Sequence, residues 1–209
     1  MNGHASKAHA RFVLQIAGGV TFVSIAESSA VNIPPQENKL LTEMQEMLET
    51  INMVPAPGDP DHHFAMMMIL HHEGAINMAN VLLKDGRDAT MRKMAHLIIQ
   101  KQTQDINELK AFLDSHLKGT VNHEFNIKME MSLDSLEQSK GVKYVNGNID
   151  HDFAAIMLTH HQNAIEMADL IIQYGRDPEI VALAREIKDD QEMEIAEFQV
   201  WLSQRNNVA

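Results

Sequence analysis

Two pairs of adjacent histidines, His71–His72 and His160–His161, are the residues of this chain best suited to chemistry. Each pair has a methionine three residues before its first histidine, Met68 and Met157, and another seven residues after it, Met78 and Met167. Imidazole nitrogen together with thioether sulfur is the donor set of Cu(I) and of its soft analogue Ag(I). The chain holds 15 Met and 12 His but no Cys, so disulfides, thiolate nucleophiles, iron–sulfur clusters and cysteine-type zinc sites are excluded. Calcium and magnesium cages need clustered carboxylates, which the doublet faces lack. A carboxylate-bridged di-iron centre needs Glu-x-x-His, and no Glu has a His three residues on. His-Glu-x-x-His is also absent. Zinc held by His62, His63, His71 and His72 of one helix stays open as an alternative.

The spacing carries the argument further. On a helical wheel His71, Met78, Leu82, Ala75, Met68 and His72 fall within roughly 120°, with Glu73 and Asn77 outside that stripe. The same register recurs around His160. A single histidine on an apolar stripe is usually a satisfied core residue, and a methionine there usually packs. Two adjacent buried imidazoles are different, because each unpartnered ring nitrogen costs roughly 1–3 kcal/mol. Gln102 and Asp105, and at the same spacing Gln191 and Glu194, are the side chains placed to hold one nitrogen of each ring and leave the other for a metal. Met44 and Met47 read as core. His62 and His151 read as helix-entry packing, His96 and His116 as surface residues, and His123, Met129 and Met131 as a sparse second soft cluster.

These residues are positioned by a chain that is written twice. Asp61–Asp88 and Asp150–Asp177 align without a gap at an offset of 89, with 14 of 28 residues identical. Six further identities follow as far as Leu113 and Leu202. An internal repeat of this kind implies two copies of one supersecondary unit. Each copy reads as three helices. Leu40, Leu41, Met44, Met47, Leu48 and Ile51 mark a short amphipathic one, ended by the Pro-rich stretch 55–60. A long helix follows, capped by Asp61 and running to about Lys84, with Gly86 placed as a left-handed glycine at its end. Asp88 caps a third helix carrying Met91, Met94, Ala95, Ile98, Gln102, Ile106, Leu109 and Leu113. In the second copy Asp177 is the cap and Pro178 the first helical residue. The fold class is all-α, a helical bundle built from an internal duplication, with four long helices plus short ones. The halves are residues 31–118 and 119–209, and they can pack as one bundle.

Residues 1–30 read as a signal peptide. Lys7 and Arg11 precede the apolar run Phe12–Ile25, and Ser28 and Ala30 supply small residues for a cut after Ala30. An uncleaved N-terminal anchor is the alternative. Either places the protein in the periplasm or outside the cell. The formal charge of −12 excludes a nucleic-acid backbone as the main partner.

Asp61, His62, Phe64, Ala65, Met68, His71, His72, Ala75, Ile76, Met78 and Ala79, then Gly86–Asp88, then Ala95, Ile98, Gln102, Asp105 and Ile106, form a pattern repeated at the same offset. It resembles the bacterial family known as domain of unknown function 305, over nearly all of the chain after residue 60. The resemblance implies a ferritin-like bundle. It also implies a periplasmic Cu(I)- or Ag(I)-binding protein, linked to copper resistance through sequestration or transfer. Met68, His71, His72 and Met78, with Met157, His160, His161 and Met167, become its candidate ligands, and a copper-exporting or sensor protein its partner. Asp152 in place of His63, and Ala155 and Ile156 in place of Met66 and Met67, are departures between the halves. The expectation is a metal binder and not an enzyme. The rivals are a metal-dependent or His-based enzyme working with Asp105 and Glu194, and an interaction module whose His and Met only pack.

Overall fold

In the computed structural model the described residues are 38–55, 58–139 and 145–206. The signal-peptide reading of residues 1–30 lies outside them. Six helices make up the described secondary structure: α1 (Lys39–Met53), α2 (Pro60–Asp85), α3 (Ala89–Ser115), α4 (His123–Ser139), α5 (Ile149–Tyr174) and α6 (Pro178–Asn206). The all-α class expected from the periodicity is what the chain adopts. α2 packs against α3 and α5, α5 against α6, and α3 against α6, while α1 lies on α2 and α4 on α5. None of the described helices is long and apolar enough to cross a membrane.

The helix starts follow from local chemistry. Asn38 caps α1 by accepting from the amides of Leu40 and Leu41, and Asp88 caps α3 through Thr90 and Met91. The cap of α2 corrects the sequence reading. It is Asp59, whose carboxylate accepts from the His62 amide, with Pro60 at the first helical position. Asp61, expected to cap its own helix, reaches instead to the α5–α6 turn. Its two oxygens accept from the amides of Arg176 (3.0 Å) and Asp177 (3.2 Å), in the turn between α5 and α6. Asp150 does the converse, accepting from the amide of Arg87 at 3.0 and 3.2 Å in the α2–α3 turn.

Gly86 and Gly175 end their helices with φ of −75° and −64°, and Gly86 is not in the left-handed region that the sequence suggested. Both positions are crowded instead. A Cβ on Gly86 would stand 2.6 Å from Leu82 Cδ1 and 2.7 Å from both Asp150 Oδ1 and the Leu82 carbonyl oxygen. One on Gly175 would stand 2.5 Å from the Ile171 carbonyl oxygen, 2.7 Å from Val181 Cγ2 and 3.1 Å from Asp61 Oδ1. The end of the preceding helix and the incoming carboxylate together leave no room for a side chain. The departure of Asp152 from His63 has a structural reason as well. Asp152 is buried and accepts from the amides of Asn146 and Gly147 and from the Asn38 amide group, tying α1 and the α4–α5 loop to α5. His63 instead reaches α4, where its Nδ1 lies 2.8 Å from Asn126 Oδ1.

Candidate metal centre

α2 and α5 each bury one side of a long helix against the other, and the four doublet histidines lie within this packing. His71, His72, His160 and His161 are all fully buried. The first histidines of the two doublets meet across the α2–α5 contact, with ring centroids 3.7 Å apart and planes inclined by 34°. The second member of each doublet turns toward the following helix. His72 Nε2 lies 3.3 Å from Asp105 Oδ2 on α3, and His161 Nε2 lies 2.7 Å from Glu194 Oε2 on α6. Both contacts are within ion-pair range but out of line for a hydrogen bond. Ring centroids within a doublet are 6.4 Å apart for His71–His72 and 5.9 Å for His160–His161. The four imidazoles form one cluster across the two halves.

The cluster is short of partners. His160 Nε2 is 3.2 Å from the His71 carbonyl oxygen. A carbonyl only accepts, so Nε2 carries the proton and Nδ1 keeps its lone pair. Among the described residues that Nδ1 has no hydrogen-bond partner, nor has Nδ1 of His72, and the group acting on the His71 ring by hydrogen bonding is the side chain of Asn163. His161 Nδ1 is likewise free, as are both polar atoms of the buried Gln102 side chain and Oε1 of Gln191. So many unpartnered polar groups in one core would each cost roughly 1–3 kcal/mol with nothing bound. Burial holds His71 and His160 well below the ordinary histidine range, and the neighbouring imidazoles add to the effect. Both rings are therefore neutral at pH 7, with a nitrogen lone pair available to a cation. The donor set fits a soft or borderline metal and offers little to a hard one.

Met68, Met78, Met157 and Met167 are fully buried in the core that contains the doublets. What the structure brings into ring-to-ring contact is His71 and His160; the methionines line the same helices one turn before and two turns after. Met44 and Met47 of α1 are core residues, and Met47 packs over Gly74, where a Cβ would stand 2.4 Å from its sulfur. His62 is held at the entry of α2, with Nδ1 2.7 Å from Asp59 Oδ2 and Nε2 3.0 Å from the His116 carbonyl. His96 is exposed, while His116 is half-buried and paired with Asp177 in the α5–α6 turn and Glu179 on α6. The soft cluster on α4 does not assemble, because Met129 is buried whereas Met131 and His123 are exposed. The pairing of His71 with His160 was not visible in the sequence, since it depends on how the two copies face each other. The constant offset was the only signal that could have pointed to it.

The family profile "Domain of unknown function (DUF305)" matches residues 150–209. No curated protein matches the chain. Among solved structures the chain is similar to CopM in its Cu(II)-bound form, with 30% identity over 69% of this chain and 97% of that one, at a TM-score of 0.54. CopM in an Ag-bound form obtained by soaking gives 29% identity, 69% and 95% coverage, and a TM-score of 0.54. A DUF305 fragment from Deinococcus radiodurans gives 24% identity, 72% and 99% coverage, and a TM-score of 0.53, a likeness of fold.

Proposed function

The chain belongs to the DUF305 family, and from that premise we propose that it binds copper or silver in the imidazole cluster between α2 and α5. The metal is Cu(I), with Ag(I) as its analogue. The observation that carries the reading is the contact of His71 with His160 in a fully buried cluster in which the δ nitrogens of His72, His160 and His161 have no hydrogen-bond partner among the described residues. The relatives point the same way: CopM has been solved in Cu(I)-, Cu(II)- and Ag-bound forms.

The ligands are drawn from His71, His72, His160 and His161, with Met68, Met78, Met157 and Met167 supplying sulfur. Asp105 and Glu194 stand at the ε nitrogens of His72 and His161, which leaves Nδ1 of each ring for the metal. Copper is cargo here, sequestered or passed on outside the cytoplasm, and the protein is a binder with no reaction of its own. Full burial of all four rings supports that reading, since a bare ion needs only side-chain motion to enter, whereas an organic substrate needs an open cavity.

Anaerobic titration of the full chain with Cu(I) and with Ag(I) tests the proposal. Binding tighter than about 1 μM is expected, and the double variant His71→Gln/His160→Gln should abolish it while circular dichroism confirms an intact helical fold. Weaker binding by the parent protein, or unchanged binding by a folded double variant, would overturn it.

A further inference from the structure

A second cluster of potential ligands, sharing no residue with the doublets, lies where the end of α3 meets the start of α6. His116 Nε2 stands 3.4 Å from Asp177 Oδ2 and 3.6 Å from Glu179 Oε2, and one ligand atom from each residue lies within 4.8 Å of the others. The histidine is fixed in place. Its Nδ1 is 3.1 Å from the Phe112 carbonyl oxygen, and its ring stacks on Phe112 at 4.2 Å with planes 17° apart. Nδ1 is thus held by the Phe112 carbonyl and lies 3.0 Å from the Ser115 hydroxyl, and Nε2 is the nitrogen that faces the two carboxylates. Asp177 is fixed too. Its Oδ1 accepts from the Glu179 amide at the start of α6, its own amide donates to Asp61, and Oδ2 is left to face His116.

The other half supplies an internal control. At the offset of 89, Phe112, His116, Asp177 and Glu179 correspond to Trp201, Arg205, Asp88 and Thr90. There Arg205 stacks on Trp201 at 3.7 Å and pairs with Asp88, which also accepts from the Trp201 indole. One permanent cation meets one carboxylate, and Thr90 adds no charge. In the His116 half the guanidinium is replaced by an imidazole and a second carboxylate is present. A protonated imidazole would balance one of the two acids. A divalent cation would balance both, and it would use the nitrogen that the Phe112 carbonyl leaves free. The two separations from His116, 3.4 and 3.6 Å, agree with a tetrahedral site, where metal–ligand bonds near 2.0–2.1 Å put ligand atoms about 3.4 Å apart.

We propose that His116, Asp177 and Glu179 form a binding site for a borderline divalent cation such as Zn(II), completed by water and joining the C-terminal end of α3 to the N-terminal end of α6. The side chains are 29%, 27% and 68% exposed, so the ion exchanges directly with solvent. The site has no sulfur donor and is separate in position and in chemistry from the Cu(I) cluster.

Calorimetric titration of the metal-free full chain with Zn(II) at pH 7.5 tests this. His116→Arg rebuilds the arrangement already present at Arg205, so it preserves the fold and the ion pair while removing the ligand nitrogen. It should lose one equivalent of zinc binding with Ag(I) binding unchanged, and Glu179→Gln should weaken that equivalent by about tenfold or more. Zinc isotherms of His116→Arg and Glu179→Gln that superimpose on the parent's would overturn the proposal and leave an ion pair only.

Discussion

The two members of each doublet do different work although they are neighbours in sequence. Their side chains leave the helix about 100° apart. The first histidine therefore meets the opposite half and the second meets a carboxylate on the next helix of its own half. Loss of water around the charge, then repulsion from the other imidazoles, favours the neutral ring at His71 and His160 and outweighs the opposing hydrogen bonds from Asn163 and to the His71 carbonyl. Their folded-state values lie below the ordinary histidine value of 6.5, so the unfolded chain binds protons that the folded chain refuses. The stability these rings contribute is complete above that value and is lost as pH falls through it toward the depressed folded values. Without metal, the unfolding free energy should drop below pH 6.5 by up to about 1.4 kcal/mol per pH unit for each of the two rings. Urea midpoints at pH 7.5 and pH 5.5 check this, and a midpoint that is flat or rises on acidification contradicts it. Asp105 and Glu194 should act through the rings they face. Asp105→Asn is expected to weaken Cu(I) binding by about 10–100-fold without changing the helical content, measured by competition with a chromophoric Cu(I) chelator. The doublets, their methionines and the two acids were legible from spacing alone. Which ring would cross to the other half was not, because a helical wheel describes one helix and not its neighbour.

The helices themselves follow from apolar periodicity, and the signals at Asp61, Gly86, Asp88 and Pro178 lie within two residues of the observed ends. Asp61 and Gly86 read locally as a cap and a left-handed terminator, because local chemistry is what a linear sequence displays. Both are used across the molecule: Asp61 holds the α5–α6 turn, and Gly86 clears space for Asp150. Such contacts form only after α2–α3 and α5–α6 have folded against each other. This yields a prediction that separates crowding from backbone strain. Gly86→Ala would place a methyl 2.6 Å from Leu82 Cδ1 and 2.7 Å from Asp150 Oδ1. It should destabilise the protein by about 1–3 kcal/mol, as overpacking does. Gly147 has φ of +87° but nothing within 4 Å of an added Cβ. Gly147→Ala should therefore cost only about 1 kcal/mol, from left-handed strain alone. Equal losses for the two variants in urea unfolding would show that the reciprocal clasp contributes little.

At the scale of the whole molecule the clasps and the imidazole cluster tie the same two halves together. Asp61 and Asp150 exchange hydrogen bonds at the helix turns, and His71 and His160 meet between α2 and α5. Neither half holds a complete site in this arrangement: each has one face of the stacked ring pair and one carboxylate of the reciprocal clasp. Metal bound between His71 and His160 would act as a cross-link present only in the folded state. Saturation at about 100 times the dissociation constant should then raise the unfolding free energy by about 2.7 kcal/mol. The same geometry sets what the separated halves can do. Residues 31–118 and 119–209, produced as two chains, should each bind Ag(I) far more weakly than the intact protein, because each lacks the partner ring and leaves its own doublet open to water. Mixing the two chains should restore binding, with a concentration dependence that reports their association. If residues 31–118 alone bind Ag(I) as tightly as the intact chain, then His72, Met68 and Met78 form a site without His160, and the shared cluster is a packing contact. If affinity returns only on mixing, the α2–α5 contact is where the metal resides, and the site exists only where the two halves meet.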